Sequence, residues 1–206
     1  MGLDSYKVLT FNCYGTLIDW ETGIWDASQP LIADNGRSDV TRTQVLSLFA
    51  RHEHALEMEN PTLTYPEILA KVHAGMAEDL GARTTTGLNR AFSESVPHWP
   101  AFGDSAEALR FLKTRYRLVV LSNVDRQSFA ASQRKLGVQF DAVCTAEEIG
   151  SYKPSPRNFR YMLDRLASDL GLGRETVLHT AQSLLHDHAP ARALGISNAW
   201  IDRQRL

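Results

Sequence analysis

Cysteine is scarce: Cys13 and Cys144 are the two thiols in a chain of 206 residues. One pair cannot build a disulfide framework, and neither thiol has neighbours at metal-ligand spacing, so both are read as reduced and buried. Also missing is any apolar run long enough to cross a bilayer. Met1 to Tyr6 shows no basic stretch followed by an apolar one, so a cytoplasmic location without a membrane partner is expected. Charge of one sign is lacking as well. With 22 Lys and Arg against 24 Asp and Glu, the net charge is −2, which gives no footing for a phosphate-backbone binder and argues against nucleic acid as a partner. No internal repeat and no low-complexity segment stands out.

What is present is an ordinary globular composition, 43% hydrophobic and 22% charged. Short apolar runs at Lys7–Phe11, Arg117–Ser122, Ala142–Thr145, Thr176–Thr180 and Ala199–Ile201 are predicted strands. Helical patterns lie between the later ones. Asp104 with Glu107 resembles a capping box, Asp125 opens a helix that closes at Gly137, and Ser155–Pro156 opens another that closes at Gly171. Strand–helix alternation predicts an α/β fold with a Rossmann-like parallel sheet covered on both faces. Residues 20–96 interrupt it. They carry no strand signal and read as helices over Thr41–Glu57, Tyr65–Leu80 and Thr85–Ser95, with Pro97 and Pro100 at the exit. The expected domains are an α/β core, residues 1–18 and 97–206, and an inserted all-helical cap, residues 19–96. An insertion after the first strand falls at the sheet edge where such folds bind ligands, and is expected to act as a lid.

Four clusters fall on loops at strand carboxyl ends: Asn12-Cys13-Tyr14-Gly15-Thr16-Leu17, Ser122-Asn123, Lys153-Pro154, and Ser183 to Asp187. Each is weak alone; their order, spacing and shared placement make the set specific. Together they resemble the four motifs of the haloacid dehalogenase superfamily over nearly the whole chain, with Asn12 standing in the place of the first motif's aspartate. The resemblance implies that a carboxylate at position 12 attacks a substrate carbon and forms an aspartyl ester. It makes Lys153 the cation that keeps positions 12 and 187 charged together, and Asp187 the group that directs water onto the ester. Ser122 and Asn123, with the backbone of Cys13 and Tyr14, are expected to hold an anionic substrate group.

Within the superfamily, Tyr14 discriminates. Phosphatases carry a second aspartate there to protonate a departing alkoxide, whereas a halide leaves without a proton. The fourth motif holds one acid, Asp187, and not the paired acids that bind magnesium, so no metal and no cofactor are expected. The chain is therefore similar to the type II 2-haloacid dehalogenases, with a short 2-haloacid as its small-molecule partner. Two positions depart from that pattern: Leu184 replaces a common Asn, and Phe159 a common Tyr. Arg51 is the nearest match for a cap arginine that grips the substrate carboxylate; its other reading is a solvated helix-face side chain. His52 and His54, two apart on a helix, do not share a face, and His186 is placed to position Asp187. Trp20, Trp25, Phe49 and Tyr65 are either pocket wall or core. A homodimer is allowed but required by no motif, and resembling chains continue past Leu206, so a closing helix is expected beyond it.

Asn12 is the oddity. An amide is nearly isosteric with a carboxylate, but it is uncharged and its lone pair is delocalised. It reads as a nucleophile substitution that leaves the site inactive, as a natural non-catalytic ligand-binding member, or as a side chain that hydrolyses slowly to aspartate. A phosphatase or phosphonate hydrolase of the same superfamily is the enzyme alternative.

Overall fold

The computed structural model describes residues 2–203. The chain forms two compact units, Met1–Asp19 with Ala101–Leu206, and Trp20–Pro100. The first unit opens with β1 (Val8–Phe11), whose four side chains are all buried, as a strand covered on both faces requires.

The chain then enters the second unit, which is helical throughout: α1 (Trp20–Ala27), α2 (Gln29–Asp34), α3 (Arg42–Glu59), α4 (Tyr65–Asp79) and α5 (Thr86–Ser93). Thr41 and Gln44 cap α3 reciprocally, and Glu67 accepts from the Thr64 backbone at the start of α4, so both helices begin where orphan N–H groups find partners. The core of this unit sets aromatic rings among aliphatic side chains such as Ile24, Leu69, Val72 and Met76. Phe49 packs between Trp20 and Phe92, with ring centroids 5.3 and 6.4 Å away, and Tyr65 meets Trp99 edge-on at 6.4 Å.

α1 was invisible to periodicity because Gly23 sits in its middle, and the packing explains that glycine. A Cβ at Gly23 would overlap the Trp99 ring, which is buried and anchored by its Nε1–H bond to Ser95 Oγ at 3.0 Å. Helix propensity favours Ala over Gly by up to about 1 kcal/mol, but overpacking against an anchored ring costs about 1–3 kcal/mol. Gly23→Ala is therefore expected to lower stability, read as a reduced urea midpoint. A raised midpoint would show that Trp99 can move.

Returning to the first unit, the order is α6 (Ser105–Lys113), β2 (Arg117–Ser122), α7 (Arg126–Leu136), β3 (Ala142–Thr145), α8 (Ala146–Ile149), α9 (Pro156–Leu170), β4 (Val177–Ala181), a π-helical turn (Leu184–His188), α10 (Ala189–Ala193) and β5 (Ser197–Trp200). The strands form one sheet in the order β3-β2-β1-β4-β5, and every pairing is parallel. Val8, Val119, Leu121, Cys144 and Val177 from the strands pack on Phe159, Met162 and Leu166 of α9. Asp125 caps α7 through the Ser128 N–H at 2.9 Å, and Gly137 and Gly171 end their helices in the left-handed conformation that glycine adopts without strain.

The capping box expected at Asp104 and Glu107 does not form. Asp104 has helical backbone angles, φ −89° and ψ −18°, and makes no side-chain cap; an N-cap needs the extended region. Its carboxylate instead takes both bonds from Arg203 Nη1 at 2.8 Å. Among the described residues, no helix is long and apolar enough to cross a membrane.

With β1 between β2 and β4, the loops that follow these strands open at one edge of the sheet. Asn12, Ser122 and Gln182 each lie immediately at or after a strand's carboxyl end there.

Candidate active site

Lys153 is the hub of this edge. Its ammonium donates to Asn12 Oδ1 at 3.1 Å, to the Leu121 carbonyl at 2.9 Å and to Asp187 Oδ1 at 2.6 Å, which uses its three protons. Lys153 and Asp187 are 2% and 0% exposed. A buried charge persists only when paired and hydrogen-bonded, and these two neutralise each other. Burial alone would push the Asp187 carboxyl up. The Lys153 charge, with hydrogen bonds from His179 and Lys153, outweighs burial and holds it at about 2.

The turn after β1 is tied at both ends. The Cys13 carbonyl accepts from the N–H groups of Leu17 and Ile18 at 2.7 and 3.0 Å, and Gly15 supplies the positive φ of 85° that the turn needs. Asn12 donates through Nδ2 to the Tyr14 carbonyl at 2.8 Å and to Thr16 Oγ1 at 3.2 Å. Thr16 Oγ1 also accepts from the Gln182 N–H at 3.0 Å, linking the loops after β1 and β4. The Tyr14 phenol bonds Ser132 Oγ at 3.0 Å.

Ser122 Oγ is buried and meets no hydrogen-bond partner among the described residues, and the same holds for Asp187 Oδ2. Buried polar atoms are nearly always satisfied, so both mark places where a ligand or water finishes the site. Asn123, expected as an anion contact, is bonded to the backbone of Lys153. Its side chain donates to the Lys153 carbonyl at 3.0 Å and accepts from the Lys153 N–H at 2.7 Å, so it fixes the hub's backbone. Arg51 belongs to α3 of the helical unit, where it is solvent-exposed and ion-paired with Asp79.

His179, on β4, brings an imidazole onto Asp187. His179 Nε2 lies 3.0 Å from Asp187 Oδ1 and its Nδ1 lies 2.8 Å from Thr10 Oγ1. His186 is seated by its own N–H on Ser183 Oγ at 3.1 Å. The sequence reading passed over His179 and Thr10 as strand residues. A signal was available: each is a polar side chain inside a fully buried strand, and such groups need partners.

Cys13 and Cys144 are fully buried. Burial pushes the Cys13 thiol far up despite the Lys153 charge, and burial lifts Cys144 to about 11. Since the thiolate is the nucleophile, neither thiol is expected to react with iodoacetamide in the folded chain, while both alkylate in denaturant. Rapid alkylation of the native protein would contradict this.

Among the described residues, no three His, Cys, Asp or Glu side chains are grouped to hold a metal ion. Asp187 has Oδ1 already bonded by Lys153 and His179, and positions 12 and 14 offer an amide and a phenol. A hard divalent cation seeks several oxygen ligands, carboxylates foremost. This donor set does not fit one.

Comparison with known proteins gives the same frame. The family model of haloacid dehalogenase-like hydrolases matches residues 6–179. An (S)-2-haloacid dehalogenase, 4A, from Burkholderia cepacia is 26% identical over 174 residues, 80% of this chain and 71% of the relative. The L-2-haloacid dehalogenase of Xanthobacter autotrophicus superposes with a TM-score of 0.79 at 19% identity, covering 96% of this chain and 78% of that one. The magnesium-bound YfnB from Bacillus subtilis, assigned to the HAD-hydrolases, superposes with a TM-score of 0.80 at 17% identity, covering 98% and 92%. At such identities the superpositions speak for the fold alone, and the fold is common to both kinds of neighbour.

Proposed function

The chain belongs to the haloacid dehalogenase-like hydrolase family, and from that premise we propose that its site is built to hydrolyse a short 2-haloacid and is silent because Asn12 occupies the nucleophile position. The observation that carries this reading is the Lys153 ammonium, bonded at once to Asn12 Oδ1 and Asp187 Oδ1. Such a cation lets two carboxylates coexist where they would otherwise resist joint ionisation.

The chemistry follows from these positions. A carboxylate at position 12 attacks C2 of the haloacid, the carbon–oxygen bond forms as the carbon–halogen bond breaks, and halide leaves with the bonding pair. Water, oriented by the Asp187 carboxylate, then attacks the ester's acyl carbon. One of the water's protons leaves on the alkoxide oxygen of the 2-hydroxy acid, the other is released to solvent by way of Asp187, and the position-12 carboxylate is regenerated. Ser122 Oγ, buried and without a hydrogen-bond partner among the described residues, is a donor for the substrate's carboxylate. Tyr14, committed to Ser132, is not needed as an acid, because halide leaves unprotonated. Leu184 and Phe159 occupy positions that differ from the dehalogenase pattern.

One observation favours a second reading, a non-catalytic ligand-binding member. The Asn12 Nδ2 donates to the Tyr14 carbonyl at 2.8 Å, a contact that suits an amide and repels a carboxylate. The test is halide release from a panel of short 2-chloro and 2-fluoro acids by Asn12→Asp, with an aryl phosphate plus magnesium as the contrary probe. Halide release supports the dehalogenase reading. Phosphate release alone moves the site to the phosphatases, and neither leaves the binder.

A further inference from the structure

We propose that Thr10 and His179 form a buried positioning pair that pins Oδ1 of Asp187 and so presents Oδ2 to the hydrolytic water. The inference rests on the ester-hydrolysis reading for its function, but its geometry stands apart from it. Thr10 and His179 are direct register partners on β1 and β4, both fully buried. They join the strand bearing Asn12 at its end to the strand that leads into the Asp187 turn.

The proton count fixes the direction of the pair. An ionised Asp187 accepts only, so His179 Nε2, 3.0 Å from its Oδ1, must carry the proton. Burial holds His179 below its ordinary range, against the opposing pull of Asp187, so the ring is neutral and its Nδ1 has a lone pair. The Thr10 hydroxyl, 2.8 Å away, then donates to that lone pair. Thr10 thereby selects the tautomer, as the second bond on an imidazole generally does. Lys153 and His188 are the other charged or titratable groups acting on the ring, both opposing its protonation. Phe159 packs edge-on against it at 5.1 Å and contributes no polar atom there.

Lys153 and His179 thus converge on the same oxygen of Asp187, at 2.6 and 3.0 Å. Rotating the carboxylate part-way about its Cβ–Cγ bond would strain both bonds, so one oxygen is held between them. Oδ2 is left buried and without a partner among the described residues, the one atom of the group free to take a proton from water. His179 does not reach reacting atoms in this scheme. It acts through Asp187.

Two measurements test the pair. On the chain as it stands, long-range nitrogen–proton correlation with labelled histidine is expected to show His179 neutral and protonated at Nε2 at pH 7, with Thr10→Val shifting or broadening that pattern. A ring protonated at Nδ1, or a charged one, overturns the proposal whatever the chain's activity. In the Asn12→Asp background, His179→Leu is expected to lower kcat about 10- to 100-fold, the size typical of lost outer-shell partners, with KM within about twofold by the same comparison. The acid limb of kcat moves to higher pH because Asp187 loses a bond that lowers its pKa. His179→Gln, whose amide can donate to Oδ1 and accept from Thr10, restores part of kcat. Unchanged kcat and acid limb in His179→Leu overturn the positioning role; should that variant not fold, Thr10→Val carries the same readout. If Asn12→Asp releases no halide, the functional reading falls and the tautomer measurement still judges the pair.

Discussion

On the dehalogenase proposal, Asn12→Asp is expected to release halide from chloroacetate on the order of 10⁴-fold or more faster than the unaltered chain, the scale set by loss of a nucleophile elsewhere. Lys153 Nζ already sits 3.1 Å from the position-12 oxygen, where it would balance the charge of a carboxylate. What is missing is a localised lone pair and a charge. The same substitution is expected to lower stability by about 1–3 kcal/mol, because a second anion enters a buried site and an oxygen replaces a donor. Asn12 Nδ2 now faces two acceptors. Thr16 can adapt: its oxygen already accepts from Gln182 N–H, so its own proton can turn to the new carboxylate. The Tyr14 carbonyl cannot, and the carboxylate must rotate away from it. Activity and stability should therefore move in opposite directions, as they often do at functional sites. Adding Asp187→Asn should leave the first step and block the second, giving about one equivalent of halide and a protein heavier by the acyl substituent in intact mass. No halide from any short 2-haloacid would leave the non-catalytic binder as the reading.

The parts of this molecule legible from sequence are those set by local pattern. β1, β2 and β3 lie within the apolar runs that predicted them, because a strand buried on both faces has to be apolar nearly throughout. β4 and β5 are displaced by a residue or more, to Val177–Ala181 and Ser197–Trp200; β5 is half exposed, so its polar Ser197 and Asn198 hid its start. α1 and α2 were lost because Gly23 and Pro30 mask a helical period. Asn12, Lys153 and Asp187, which the hydrogen bonds of Lys153 join, stand in clusters that local pattern places near strand carboxyl ends. Partners across strands were not legible. Asn123's hold on the Lys153 backbone and the Thr10–His179 pair depend on register between segments far apart in the chain, and a single strand's pattern carries no register. The Arg203 bonds to Asp104 and the Thr16 carbonyl are hidden for the same reason.

Lys153→Met is expected to be the most destabilising single change at the site. The side chain is nearly isosteric, so the loss is chiefly electrostatic: Asp187 becomes a buried charge without its cation, a change that costs about 3–5 kcal/mol. The pH dependence gives the sign. In the unaltered chain Asp187 has a folded pKa of about 2 against an ordinary 3.8. A depressed carboxylate binds fewer protons folded than unfolded, so its contribution of about 2 kcal/mol is fully present above the unfolded pKa and is lost as pH falls through the folded one. Between pH 5 and 8 it is constant. In Lys153→Met the burial that Lys153 had outweighed is left opposed by His179 alone, and the Asp187 pKa rises above its unfolded value. Its contribution then changes sign, so protonation favours folding and urea stability should be higher at pH 5 than at pH 8. Asp187→Asn added to Lys153→Met removes the orphaned charge and should recover much of the loss and flatten the profile. If urea unfolding shows Lys153→Met as stable as the parent at pH 8, or more stable there than at pH 5, the ammonium is not what holds the Asp187 carboxylate in the core.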